Sequence, residues 1–148
     1  MGCDIHIVVE RRLKGRTKWV GLYSSDAAYQ IIRKNMIAAR RDYGFFADLA
    51  SVRGQSSLSQ YPQNLPEDMS DLTREQFWRS PTDYHSASHM TIDQFTKTWM
   101  HSNQKLDEQW RSKDIRSDYA AYDLLGVSPD DFDDDKRPDY RVVFWFDN

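Results

Sequence analysis

The last stretch of the chain, Tyr140 to Phe146 (YRVVFWF), is apolar at every position but one. A run this short and this apolar is stable as a strand covered on both faces, which makes it a central strand that needs partners on either side. The opposite end of the chain supplies them. Cys3 to Arg11 (CDIHIVVER) alternates, with Asp4, His6 and Val8 on one face and Cys3, Ile5, Ile7 and Val9 on the other. A turn through Gly15 leads into Lys18 to Tyr23 (KWVGLY), which returns as a second strand. A lone hairpin is marginal in water, so the terminal strand is expected to join it in one sheet.

Between these ends the spacing predicts helices. Ser24, Ser25 and Asp26 are N-cap residues for a helix from Ala27 to Arg40, whose apolar stripe is Ala28, Ile31, Ile32 and Met36. A shorter helix is expected over Tyr43 to Val52, stopped by Gly54. Gln55 to Met69, with Pro62 and Pro66, reads as a long loop, and loops of that length are often functional. A short helix follows over Leu72 to Trp78, then an irregular polar stretch from Asp83 to His89. Thr91 and Gln94 form a capping box for a helix carrying Ile92, Phe95 and Trp99 toward Trp110. A last helix is expected over Ser117 to Leu125, ended by Gly126, and Pro129 to Lys136 is an acidic connector. The expected fold is one α+β domain over residues 1–148. It has a small antiparallel or mixed sheet, built from the N-terminal hairpin and the C-terminal strand, with several helices packed on one face.

Composition narrows the function classes. A chain of 148 residues buries a core without disulfides, and its single cysteine, Cys3, cannot form an intrachain bridge, so a cytoplasmic setting is expected. The formal net charge of -3 argues against bulk nucleic-acid binding. No apolar run is long enough to span a membrane, and no secretory signal opens the chain. Met1-Gly2-Cys3 resembles an acylation start, but His6 stands where that pattern needs Ser or Thr. Aromatic residues reach 14%, enough to build a core and also to line a pocket for flat ligands.

Several segments resemble a family of bacteriophage and prophage proteins that begin Met-Gly-Cys-Asp-Ile-His and end Phe-Trp-Phe-Asp-Asn. They are Met1 to His6, Arg41-Asp42-Tyr43, Phe46 to Arg53, Leu65-Pro66, His85-Ser86-Ala87-Ser88 and Val143 to Asn148. The family pattern carries Trp-Leu-Thr after the His-Ser-x-Ser segment. This chain has His89-Met90-Thr91 instead, which removes a stacking aromatic at position 89. The resemblance implies a viral accessory protein working in the cytoplasm of an infected bacterium, and no particular chemistry.

The residues that bear chemistry are few. Asp4 and His6 share a strand face, so the carboxylate can orient the imidazole as acid or base. Asp147 closes the last strand and comes near Asp4 if the terminal strands are neighbours. Those two carboxylates with His6 match no known metal spacing, and no metal is assigned. His85, Ser86 and Ser88 precede a helix start, where hydroxyls and backbone N–H groups suit a phosphate. Arg40, Arg41 and Arg53 flank the second helix and offer guanidinium forks for an anion. Each of these also has a plain structural use as a cap, a solvated charge or a surface pair. The acidic connector fails the calcium-loop pattern: counted from Asp131, Lys136 and Val142 stand where Gly and Glu are required. Gly-rich phosphate loops, Cys-x-x-Cys pairs and Gly-x-Ser-x-Gly elbows are absent from the sequence.

These features lead to the expectation of an anti-defence protein that binds and sequesters a small phosphorylated, nucleotide-derived signalling ligand. Arg41, Arg53, Ser86 and Ser88 would hold phosphate and Tyr43 would stack, with no cofactor. An alternative is a phosphodiesterase using His6 and His85 as base and acid with Asp4 orienting His6. Another is an inhibitor of a host defence protein acting through surface acids such as Asp133. A homo-oligomer is left open.

Overall fold

A computed structural model describes residues 2–23, 42–102 and 138–147. The helices expected over 27–40 and 117–125, the acidic connector, and Arg40 and Arg41 lie outside the described residues. In chain order the elements are β1 (Asp4–Arg12), β2 (Val20–Tyr23), α1 (Tyr43–Ala50), α2 (Asp71–Phe77), β3 (Tyr84–Thr91), α3 (Ile92–Ser102) and β4 (Asp139–Asp147). A single 3-10 turn, Pro81–Asp83, leads into β3. The α+β class is as expected: one sheet of order β2-β1-β4-β3, antiparallel throughout.

β4 is central and buried along almost its whole length. Its register against β1 runs from Asp4 opposite Asp147 to Arg12 opposite Asp139. Alternation sends Val142, Phe144 and Phe146 to one face, where Ile5, Ile7 and Val9 join Phe46 and Leu49 of α1 and Phe95 and Trp99 of α3. Val143 and Trp145 point to the other face with Val8, packed by Leu65, Leu72, Phe77, Tyr84 and Ala87. Helices therefore cover both faces, with α1 and α3 on the first and α2 with its preceding loop on the second. Each fully buried large apolar side chain contributes roughly 1.5–3 kcal/mol relative to exposure.

β3 corrects the sequence reading, which made Asp83 to His89 irregular. Tyr84–Thr91 (YHSASHMT) has little intrinsic strand preference, and its pairing with β4 supplies what local propensity does not. A bulge opposite Trp145, between His85 and Ser88, keeps both ends in register, and Ser86 there takes a left-handed φ of 55°. The loop before α2 runs beside this edge strand: the Gln63 N–H donates to Ser88 Oγ at 3.0 Å, and His89 Nδ1 lies 3.2 Å from the Asn64 carbonyl.

Two polar networks hold the second layer and the loop. Glu10, fully buried on β1, accepts from Arg141 Nε (2.5 Å), the Ser70 N–H (2.6 Å) and Thr73 Oγ1 (2.7 Å), which fixes the start of α2. Arg141 also grips Asp68 at 2.9 Å, and that hydrogen bond holds the Asp68 carboxyl below its ordinary range. On the other face Asp48 of α1 accepts from the Ser57 N–H and hydroxyl and from Ser102 Oγ of α3. Burial alone would raise Asp48, but these bonds and nearby His101 outweigh it and lower its pKa.

Local signals set the helix ends. Asp42 caps α1 and Ser70 caps α2, each accepting an N–H three residues on, and Thr91 Oγ1 accepts from the Gln94 N–H as the capping box requires. The stop of α1 is not Gly54: Ser51 adopts the left-handed C-cap at φ 57°. Gly54 serves packing instead, since a Cβ there would sit 3.2 Å from Ala47.

Candidate functional site

The strand order gathers the start of β1, the end of β4 and the start of β3 at one rim of the sheet. Most of the chemistry-bearing residues singled out from the sequence, where described, lie there, divided between the two faces.

On the α2 face His6 stands opposite Trp145, and Asp147 stands between Asp4 on β1 and Tyr84 on β3. His6 Nε2 is 2.7 Å from Asp147 Oδ2, with the two side chains 27% and 28% exposed. The imidazole lies nearly parallel to Trp145 (12°, centroids 5.9 Å) and is tilted against Tyr84 (5.1 Å), over a floor that Phe77 completes. His6 thus bonds a carboxylate that comes from the far end of the chain. Asp4 and Asp147 are cross-strand neighbours, as the sequence suggested. Among the described residues, however, no three His, Cys, Asp or Glu side chains are grouped to hold a metal ion.

On the face covered by α1 and α3, Cys3 is fully buried, its N–H donates to Tyr43 Oη at 3.3 Å, and Arg53 lies over the Tyr43 ring at 5.6 Å. Burial raises the Cys3 thiol pKa, while its bond to Arg53 pulls the other way. Tyr43 is 38% exposed and Arg53 is exposed, in a left-handed conformation at φ 60°. A line of rings runs from Tyr43 through Phe46 and Phe146 to His85, which stacks on Phe146 at 26° and places Nδ1 3.0 Å from Ser86 Oγ.

Tyr43 with Arg53 stands at one end of this line and His85 with Ser86 at the other, the buried rings of Phe46 and Phe146 lying between them. Ser88 does not contribute: it is 1% exposed and accepts from Gln63. Because it sits in a strand rather than before a helix, the phosphate cradle of backbone N–H groups expected at Ser86 and Ser88 does not form. His6 and His85 point to opposite faces, since their partners Trp145 and Phe146 are adjacent on β4. The sheet separates the two imidazoles that the hydrolase alternative requires on one substrate.

Two other groups escaped the sequence reading. Ser57, His101 and Asp48 have the composition of a catalytic triad but not its wiring. Ser57 Oγ stands between Asp48 (2.7 Å) and His101 Nε2 (2.8 Å), whereas nucleophilic activation puts the imidazole between serine and carboxylate. A cavity of about 700 Å³ opens at the opposite rim, lined by Arg12, Trp19, His89 and Met90 among others. None of the residues singled out for function from the sequence lines it.

No family model, no curated protein and no solved structure matches this chain. Among the described residues no helix is long and apolar enough to cross a membrane.

Proposed function

We propose that this is a phage accessory protein that captures a small phosphorylated, nucleotide-derived ligand at the rim formed by Tyr43, Arg53, His85 and Ser86. The observation that carries the reading is the exposed guanidinium of Arg53 held over the exposed ring of Tyr43, an anion-binding fork beside a stacking surface. Support comes from strain. Arg53 holds a positive φ of 60° at this rim, and such conformations are found at ligand clamps. Many of the described segments that resemble the phage family also meet here. Capture is favoured over turnover because His6 and His85 lie on opposite faces. The cytoplasm of an infected bacterium is the setting this reading implies.

Titration of ¹⁵N-labelled protein with cyclic dinucleotides and ADP-ribose tests the reading. Saturable shifts centred on Tyr43, Arg53, His85 and Ser86 are expected. Shifts confined to other residues, or none at all, would contradict it.

A further inference from the structure

The cavity at the rim away from Arg53 has a chemistry of its own. It forms where β1 ends, β4 begins and β3 passes into α3, and its volume of about 700 Å³ falls within the range of small-molecule sites. Its lining includes Trp19 and the polar groups of Arg12 and His89, together with the carboxylates of Asp93 and Asp139.

Arg12 is the cation best placed to act there. Its guanidinium lies 4.6 Å from the centre of the Trp19 ring, which holds it as a rigid plane. Trp19 is itself kept in place by Arg141, 4.1 Å from its centre, and the Arg141 donors are spent on Glu10 and Asp68. Among the described residues Arg12 by contrast uses only Nη2, on Asp139 at 3.1 Å. Among the described residues its Nε and Nη1 groups donate to nothing. The Arg12–Asp139 pair is solvent-exposed, with the aspartate 64% accessible, and pairs of this kind exchange at little cost.

We infer that this cavity is a second ligand site, taking a small organic anion whose carboxylate or phosphate seats on Arg12 and whose apolar body lies on the Trp19 side of the cavity. Asp139 occupies the guanidinium when the site is empty and competes with the incoming anion. The site is independent of the Arg53 rim, since it lies at the other end of the nine-residue strand β1.

The test measures the affinity of phenyl phosphate and of benzoate by NMR titration, with inorganic phosphate and benzyl alcohol as the two halves alone. At least one of the first two should bind at least tenfold tighter than either half, which also shows whether phosphate or carboxylate is preferred. Arg12→Gln should weaken that binding at least tenfold. Asp139→Asn, an exposed change that leaves the fold alone, should tighten it severalfold by removing the competitor. Arg53→Ala should leave it unchanged. The inference is overturned if neither probe binds, if inorganic phosphate binds as well as phenyl phosphate, or if Asp139→Asn weakens binding or leaves it unchanged. Loss of binding in Arg53→Ala alone would overturn it too, since the probes would then be reporting the other rim.

Discussion

His6 and Asp147 are diagonal neighbours on β1 and β4, joined by a 2.7 Å hydrogen bond between residues 141 positions apart in the chain. The pair ties the two ends of the sequence together at the rim. Asp147→Ala removes the acceptor for His6 and for the Asp4 N–H, and should cost about 1 kcal/mol in urea unfolding. His6→Ala should cost a similar amount while leaving ligand affinity within threefold, because its side chain projects from the face away from Arg53. A tenfold loss of affinity in His6→Ala would mean the site spans both faces.

The Glu10–Arg141 pair is a stronger structural determinant. Glu10 is fully buried, and its carboxylate serves Arg141, Ser70 and Thr73 at once. Arg141→Met leaves that carboxylate buried without its cation and should destabilise by about 3–5 kcal/mol. Adding Glu10→Gln to Arg141→Met should recover part of the loss, and a double-mutant cycle from denaturant curves measures the coupling.

Gly21 of β2 marks a close approach. A Cβ at this position would overlap the side chain of Leu72 on α2. Gly21→Ala should force α2 away from the sheet and cost about 1–3 kcal/mol by overpacking, read as a lower urea midpoint at unchanged slope.

Asp48 makes stability depend on acid. Its pKa is lowered in the folded state, so its contribution is fully present above the ordinary carboxylate value, about 3.9, and is lost as pH falls through the lower folded value. Ser102→Ala removes one bond to that carboxylate, worth about 1.5–3 kcal/mol. Its deficit relative to the parent should be constant above about pH 5 and shrink as Asp48 is protonated. A deficit that persists unchanged into strong acid would assign the loss to packing instead.

The sheet was legible because both chain ends carry strand patterns strong enough to read alone, and the nearly all-apolar run in β4 announced burial on both faces. β3 was not, because edge strands need few apolar residues and Tyr84–Thr91 has few. The rim was legible as a set of residue types, and Asp147 was named as a neighbour of Asp4. The bond between His6 and Asp147 was not, since register between strands so far apart in sequence is set by packing of Phe144, Trp145 and Phe146 rather than by local pattern. Glu10 and Arg141 did leave a signal. Glu10 follows the apolar run Ile7–Val9 and Arg141 precedes the apolar run Val142–Phe146, and opposite charges so placed on two neighbouring strands can pair once the register is set. The separation of His6 from His85 needed the Ser86 bulge and the identity of each partner on β4, neither of which the sequence displays.

The most direct test of capture is depletion followed by release. Purified protein is incubated with cyclic dinucleotides and ADP-ribose derivatives, filtered away, heated, and the free and released ligand quantified. Depletion of one member by the parent and by His6→Ala, its recovery intact after heating, and no depletion by Arg53→Ala are the expected results. Recovery of a cleaved product, equal depletion by Arg53→Ala, or no depletion of any member would contradict capture at the Tyr43–Arg53 rim.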